Sequence, residues 1–348
     1  MLLRELTALR GPSGHEHEVR DALRKEAGRI LEGKEGRVYT DTMGNLYAYR
    51  KGTDPKKEHV MLAAHMDEVG FIVTFVSDNG LLHIDCVGGV DPRCCVSKRV
   101  LVGDKAVPGV LGIKAIHLMS PEDRKKAPDY STLTIDIGCE SKEEAERLCP
   151  PGSYVTFESE YREFGNGMVK ARAIDDRMGC MILLDIMENC DYAGDMTCVF
   201  TVQEEVGLRG AKVAARRVKP DRAIIIDTTA CNDMGMVDSH KQSASCGGGA
   251  ALTFMDRRII VPKAFRELAM NAAKARGIPV QIKRGSTGGT DAGEIHKSMG
   301  GIPCLAIVLP CRYAHSPANV ASLSDIKAVR DLTFAVMDEL DKGDGFHG

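Results

Sequence analysis

The stretch MTCVFTVQEEVGLRGAKVAARRV, residues 196–218, runs from an unbroken apolar segment of strand character into two adjacent carboxylates, Glu204 and Glu205. A Gly-bearing turn then leads into a helical pattern. The same order of buried strand, polar junction and helix recurs on both sides. HVMLAAH at 59–65 is short enough for a buried strand ending at His65, and RAIIIDTT at 222–229 and IPCLAIVLP at 302–310 have the same character. Helical periodicity follows in AIDDRMGCMILLDIMEN at 173–189, in VPKAFRELAMNAAKARGIPVQI at 261–282 before its last residues, and from Leu323 to Leu340. This alternation is α/β texture.

Between about Phe71 and Tyr161 the texture changes to short Val/Ile-rich runs broken by Gly, Pro and Asp, as in GFIVTFVSDNGLLHIDCVGG, KRVLVGDKAVPGVLGI and YSTLTIDIGC. One α/β domain interrupted by an inserted β module accounts for both textures, with residues 1–70 and 163–348 as its two parts and 71–162 as the insert. Ser13 with Glu16 three residues on reads as a capping box ahead of a helix over HEHEVRDALRKEAGRIL, and RVYTDTMGNLYAYRKG as two strands about a Gly-Asn turn.

At 348 residues, two cores are expected. The net charge of -3, with dispersed Lys and Arg, gives no electrostatic footprint for nucleic acid. No window approaches the roughly 18 apolar residues of a membrane span, and the N-terminal stretch reads as an amphipathic helix, not an export signal. The 12 cysteines contain no CxxC and read as reduced, mostly buried thiols of a cytoplasmic protein.

Acidic and histidine side chains fall repeatedly at strand ends, where open α/β sheets place their ligand sites: His65 with Asp67, Glu204 with Glu205, Asp227, and His315. Mixed His and carboxylate donors suit zinc, cobalt or manganese, and five or six of them suffice for two ions. In His65-Met66-Asp67 an extended backbone turns both polar side chains to one face, so Asp67 can support His65 as ligand. In an extended Glu204-Glu205 pair one carboxylate can bind metal while the other reaches a substrate water. Of Asp175 and Asp176, at a helix start, one can cap the helix while the other faces the sheet edge. Each feature alone also reads as ordinary structure, a solvated turn or a helix cap. The run GSTGGTDAGEIH at 285–296 is equally a structural turn or a substrate-facing loop, and it lacks the spacing of a phosphate loop.

Taken together, HMDEVGF, AIDDRMG, QEEVGLRGA, IDTTACND, GGTDAGEIH and RYAHSPANV resemble, in order and spacing, the tetrahedral (TET) and glutamyl aminopeptidase family, also called cellulase M. The resemblance implies a phosphorylase/hydrolase-like α/β domain with a mixed sheet and an inserted β-barrel or PDZ-like domain. It also implies two divalent metals, zinc or cobalt with manganese as a further candidate, short peptides with a free N-terminus as substrates, and a homo-oligomer, often a dodecameric shell. On this pattern His65 and Asp227 bind one metal, Glu205 and His315 the other, and Asp175 bridges, with Asp176 as the alternative. Glu204 becomes the general base and Asp67 orients His65. Members often carry Glu four residues after the last ligand His, where this chain has Asn319, a departure that bears on a supporting contact and not on a ligand.

The expected reaction is hydrolysis of an N-terminal residue. An amide deacylase on the same scaffold, a glycosidase using Glu204 and Glu205, and a non-catalytic assembly protein are the competing readings. The absence of Trp and the 5% aromatic content are poor material for sugar stacking. Arg93, Arg257 and Arg312 are the candidates for reading a substrate carboxylate, each also explicable as a solvated charge.

Overall fold

A computed structural model describes residues 2–235, 237–285 and 288–343. The chain enters through helices α1 (Leu3–Ala8) and α2 (His17–Leu31), then forms strands β1 (Gly36–Thr40), β2 (Leu46–Arg50) and β3 (Val60–His65). β1 and β2 pair antiparallel about the Gly44-Asn45 turn, as their sequence requires. Six strands follow: β4 (Gly70–Val76), β5 (Leu82–Val87), β6 (Arg99–Val102), β7 (Val107–Ile113), β8 (Leu133–Asp136) and β9 (Tyr154–Phe157), with α3 (Lys142–Leu148) before the last. They close into a barrel in the order β4-β5-β8-β7-β6-β9. Its interior is filled by Phe71, Val73, Leu82, Val100, Leu111, Ile135 and Phe157, a core separate from that of the large sheet. Closure leaves no free strand edge, which lets so short a set of strands stand as a unit.

Beyond the barrel come β10 (Arg162–Phe164), β11 (Met168–Ala171), α4 (Ile174–Asn189), β12 (Met196–Thr201), α5 (Arg209–Val218), β13 (Arg222–Ala230), β14 (Ala250–Thr253), α6 (Lys263–Arg276), β15 (Val280–Lys283), α7 (Ala292–Ile295), β16 (Cys304–Arg312), β17 (Asn319–Ser322) and α8 (Leu323–Lys342). The mixed sheet runs β1-β2-β12-β3-β13-β16-β17-β11-β10, with β14 and β15 branching from β16. Its centre, β12-β3-β13-β16, is parallel. Every residue of β3 and β12 is buried, and a strand covered on both faces is expected to be apolar throughout instead of alternating. α4 packs on β3 and β13, α5 on β12, and α8 on β16.

Three local expectations are corrected. The capping box at Ser13 does not form: the N-cap of α2 is Glu16, without a side-chain cap bond, and both polar side chains turn inward. Asp227 does not close its strand, because β13 continues through Thr228, Thr229 and Ala230, which pair with Leu309, Pro310 and Cys311 of β16. The backbone before Glu204 and Glu205 is not extended, since β12 ends at Thr201 and Gln203 takes φ 56°. All 12 cysteines are free thiols. No helix among the described residues is long and apolar enough to cross a membrane.

Candidate metal centre

Parallel pairing of β12, β3, β13 and β16 brings the ends of four strands to one sheet edge, with His65 beside Thr201 in register. His65 Nε2 lies 3.3 Å from Asp175 Oδ1 and 3.7 Å from Asp227 Oδ1. His315 Nε2 lies 3.1 Å from Glu205 Oε2 and 3.6 Å from Asp175 Oδ2. Two donor groups result, His65/Asp175/Asp227 and Asp175/Glu205/His315, each compact enough to hold one ion and both using Asp175. Asp176 is in neither: its Oδ1 accepts the Gly179 amide at 3.0 Å, the helix-capping role foreseen for one of the pair. The Asp175–Asp176 peptide is cis.

Asp67 faces His65 with its main-chain oxygen, 3.1 Å from Nδ1, and with its carboxylate, whose Oδ1 lies 3.6 Å from the same atom. The carboxylate also accepts the amides of Glu204 at 3.0 Å and Glu205 at 3.1 Å, and the Ser13 hydroxyl at 2.5 Å. Asp67 therefore fixes the turn that presents both glutamates. Behind it Glu16 accepts the amides of Gly14 at 2.7 Å and Gln203 at 3.3 Å, and Asp291 accepts the Thr201 hydroxyl at 2.5 Å. Ser13 and Glu16 were not recognisable as site residues, because each completes the site from a distant segment, whereas Asp291 belongs to the 285–296 run read as either a structural turn or a substrate-facing loop. The turn carrying His315 has Tyr313 at φ 57° and His315 at φ 59°, and Asn319 Nδ2 holds it by donating to the carbonyls of Tyr313 and Ser316. Asn319 Oδ1 also accepts the Asp175 amide at 3.5 Å, so this position still supports the centre without a carboxylate. The barrel contributes Gly89, whose carbonyl lies 2.9 Å from His315 Nδ1.

Burial raises the Glu204 carboxyl well above its ordinary range, with Asp227, Glu205 and Asp291 adding repulsion against the pull of His65. Burial likewise lifts Glu205 to about 8, opposed by His315. Burial would raise Asp175 too, but His65 and His315 hold it below the usual carboxylate value. His65 is raised well above an ordinary imidazole because Asp175, Asp227 and Asp67 outweigh its burial. So many enclosed acids around two imidazoles leave uncompensated negative charge, and Asp175 Oδ1 is buried without a hydrogen-bond donor. Divalent cations meet both deficits, so the donor set fits them.

The centre opens into a cleft of about 490 Å³. Glu204 lines it without belonging to either donor group, and Arg257, Arg258 and Lys283 form a cationic part of its wall. Lys283 is 3% exposed. Gly289 and Gly293 leave room for Arg258, whose Cγ and Cβ lie 2.6 and 2.3 Å from where their Cβ atoms would stand. Thus part of the Gly-rich run does face the cleft, whereas Ser286 and Thr287 lie outside the described residues. Arg93 and Arg312 do not line the cleft: Arg93 pairs with Asp91 on an exposed loop and Arg312 with Asp233.

Comparison with known proteins gives a consistent result. The model of the M42 glutamyl aminopeptidase family matches residues 44–332. A protein of Acetivibrio thermocellus is 39% identical over 96% of this chain and 97% of its own length. The crystal structure of a TET aminopeptidase from a marine-sediment archaeon of the Thaumarchaeota superposes with a TM-score of 0.91 at 32% identity, covering 98% of this chain and 97% of that one. The TET1 peptidase of Pyrococcus horikoshii, which can assemble into a tetrahedron or a large octahedral shell, superposes with a TM-score of 0.84 at 31% identity, covering 96% and 97%. With the family model spanning most of its length and relatives matching it nearly throughout, this chain belongs to the M42 glutamyl aminopeptidase family.

Proposed function

We propose that this protein is a two-metal aminopeptidase that removes N-terminal residues from short peptides, with acidic side chains favoured at the cleaved position. The observation that carries the reading is the sharing of Asp175 between the two donor groups, with Glu204 beside them and bound to neither. His65 and Asp227 would hold one divalent ion, Glu205 and His315 the other, with Asp175 between, and zinc, cobalt and manganese all suit these donors. Such ions, when bound, supply Lewis acidity toward the scissile carbonyl and lower the pKa of water.

Glu204 takes the proton of the attacking water and returns it to the leaving amine. Its enclosed, carboxylate-rich surroundings favour a carboxyl that accepts a proton readily. Asp67 keeps Glu204 on station through the amide hydrogen bond, with Ser13 and Glu16 bracing the same turn. The dense negative charge of the centre suits a substrate's free α-amine, and Arg257, Arg258 and Lys283 suit a side-chain carboxylate in the same cleft. We further propose that 71–162 is an inserted module used in assembly, that the chain forms a homo-oligomer on the pattern of the TET peptidases, and that it works in the cytoplasm.

The test is release of free amino acids from unblocked and N-acetylated peptides, before and after chelation and re-addition of zinc, cobalt or manganese. Metal-dependent release from unblocked peptides alone, fastest from N-terminal Glu or Asp, is expected. Lys283→Met should lower the preference for Glu over Leu by about tenfold to a hundredfold, the worth of one charge-assisted hydrogen bond. Turnover confined to acylated substrates would make the protein a deacylase.

A further inference from the structure

Outside the cleft, where β13 gives way to the loop before β14, the donor atoms of Cys231, Asp233 and Cys246 lie within 4.8 Å of one another. The two sulfurs are 3.3 Å apart. No other two thiols among the described residues are in hydrogen-bond contact. Both cysteines are anchored: the Cys231 amide donates to the Cys311 carbonyl at 3.0 Å, and the Cys246 amide to Asp233 Oδ2 at 3.0 Å. Asp233 is in turn gripped by Arg312 through bonds of 2.8 and 2.7 Å. Cys231 is 3% exposed, whereas Cys246 is partly open to solvent.

We propose that Cys231 and Cys246 form a reversible disulfide on exposure to small disulfides, clamping the loop between them to the end of β13. A disulfide holds its sulfurs about 2.05 Å apart, so closure needs a movement of little more than 1 Å, within reach of side-chain rotation. The hydrogen bond from Cys231 lowers the Cys246 thiol against burial and the nearby Asp233, and Arg312 adds to the lowering, which favours the more accessible sulfur as the one that attacks. Cys246 attacks a sulfur of the small disulfide, forming a mixed disulfide and releasing one small thiol. Cys231 then loses its proton and attacks the Cys246 sulfur, expelling the second small thiol. The protein dithiol is oxidised and the small disulfide reduced to two thiols.

A metal is the rival occupant. It is disfavoured because Asp233 already accepts two bonds from Arg312 and one from the Cys246 amide, and coordination would compete with a partly buried ion pair for its carboxylate. The clamp also matters for the cleft, since Thr228, Thr229 and Ala230 immediately before Cys231 line it. The inference is independent of the peptidase reading.

The experiment is treatment of the full-length, metal-loaded protein with oxidised glutathione, followed by alkylation, intact mass and peptide mapping. A product lighter by two hydrogen atoms, with Cys231 and Cys246 in one linked peptide and reversal by dithiothreitol, is expected. Cys246→Ser should abolish the bridge, and Cys231→Ser should stop the reaction at a glutathione adduct on Cys246. A bridge from Cys246 to Cys311, or both thiols remaining alkylatable after glutathione has modified Cys94, would overturn the proposal. So would zinc protection of both thiols that Asp233→Asn removes, which would identify a metal site.

Discussion

At the scale of single residues, the two adjacent glutamates differ in position, not composition. Glu205 is 3.1 Å from His315 and belongs to a donor group, whereas Glu204 faces the cleft unengaged. On the proposed assignment, Glu204→Gln keeps the shape and the Asp67 contact, which uses the main-chain amide, but cannot accept the proton. kcat should fall by about 10²- to 10⁴-fold with KM nearly unchanged and bound metal undiminished. Steady-state kinetics with metal analysis checks this, and loss of metal in the variant would instead make Glu204 a ligand. Glu16 makes a separable prediction. Burial and the nearby Asp67 raise its pKa from 4.5 to about 7, so the folded protein holds a proton that the unfolded chain releases sooner. The associated stability is fully present below about 4.5 and is lost as pH rises toward 7. Glu16→Gln stays neutral and keeps an oxygen for the Gly14 and Gln203 amides. Relative to the parent it should gain about 1–3 kcal/mol between pH 5 and pH 8, read from denaturant unfolding at each pH. An unchanged difference would mean that Glu16 is ionised in the fold throughout this range.

At the scale of elements, the turn from β12 into α5 is the part on which the site depends most. Asn45 ties its ends together, accepting the Val202 amide at 3.0 Å and donating to the Gly210 carbonyl at 3.1 Å. A Cβ on Gly210 would stand 2.4 Å from the Val202 carbonyl oxygen and 2.7 Å from its nitrogen, both backbone atoms that cannot swing away. Gly210→Ala should therefore cost about 1–3 kcal/mol by overpacking and displace Glu204, lowering kcat even at temperatures where the fold survives. Thermal unfolding alongside activity measures both effects. This turn also marks where sequence reading stops. The strands β3, β12 and β16 were legible because burial on both faces leaves an unbroken apolar signature, and the inserted β module because short strands need frequent turn residues, whereas its barrel form was implied only by the family resemblance. The left-handed Gln203 was not, since its conformation is imposed by Asp67 and Glu16 from elsewhere in the chain. Ser13 and Glu16 show the converse: a spacing that fits a helix cap is indistinguishable, one chain segment at a time, from two side chains with distant partners. Lys283 carried no signal at all, because a buried cation in a strand acquires meaning only from the cleft beside it.

Across the whole molecule, the metal centre and the barrel are different kinds of stabilising unit. The barrel rests on its own apolar core, while the sheet edge gathers Asp175, Asp227, Glu204, Glu205 and two histidines with charges that do not cancel. Cations at this edge would offset the repulsion and link β3, α4, β13 and the turn after β16, elements distant in sequence. Chelation should therefore abolish peptide hydrolysis and lower the melting temperature by about 5–10 °C, the order expected when a ligand held well above its Kd is withdrawn. Hydrogen exchange should show where the loss falls. The Glu204 and Glu205 amides, held by Asp67, and the turn at 313–316 should exchange faster without metal, whereas the strands β4 to β9 should keep their protection. Adding back zinc, cobalt or manganese should restore both protection and turnover. Faster exchange throughout the barrel would mean that the two cores unfold together, and unchanged exchange at Glu204 and Glu205 would mean that the ions bind elsewhere than between His65 and His315.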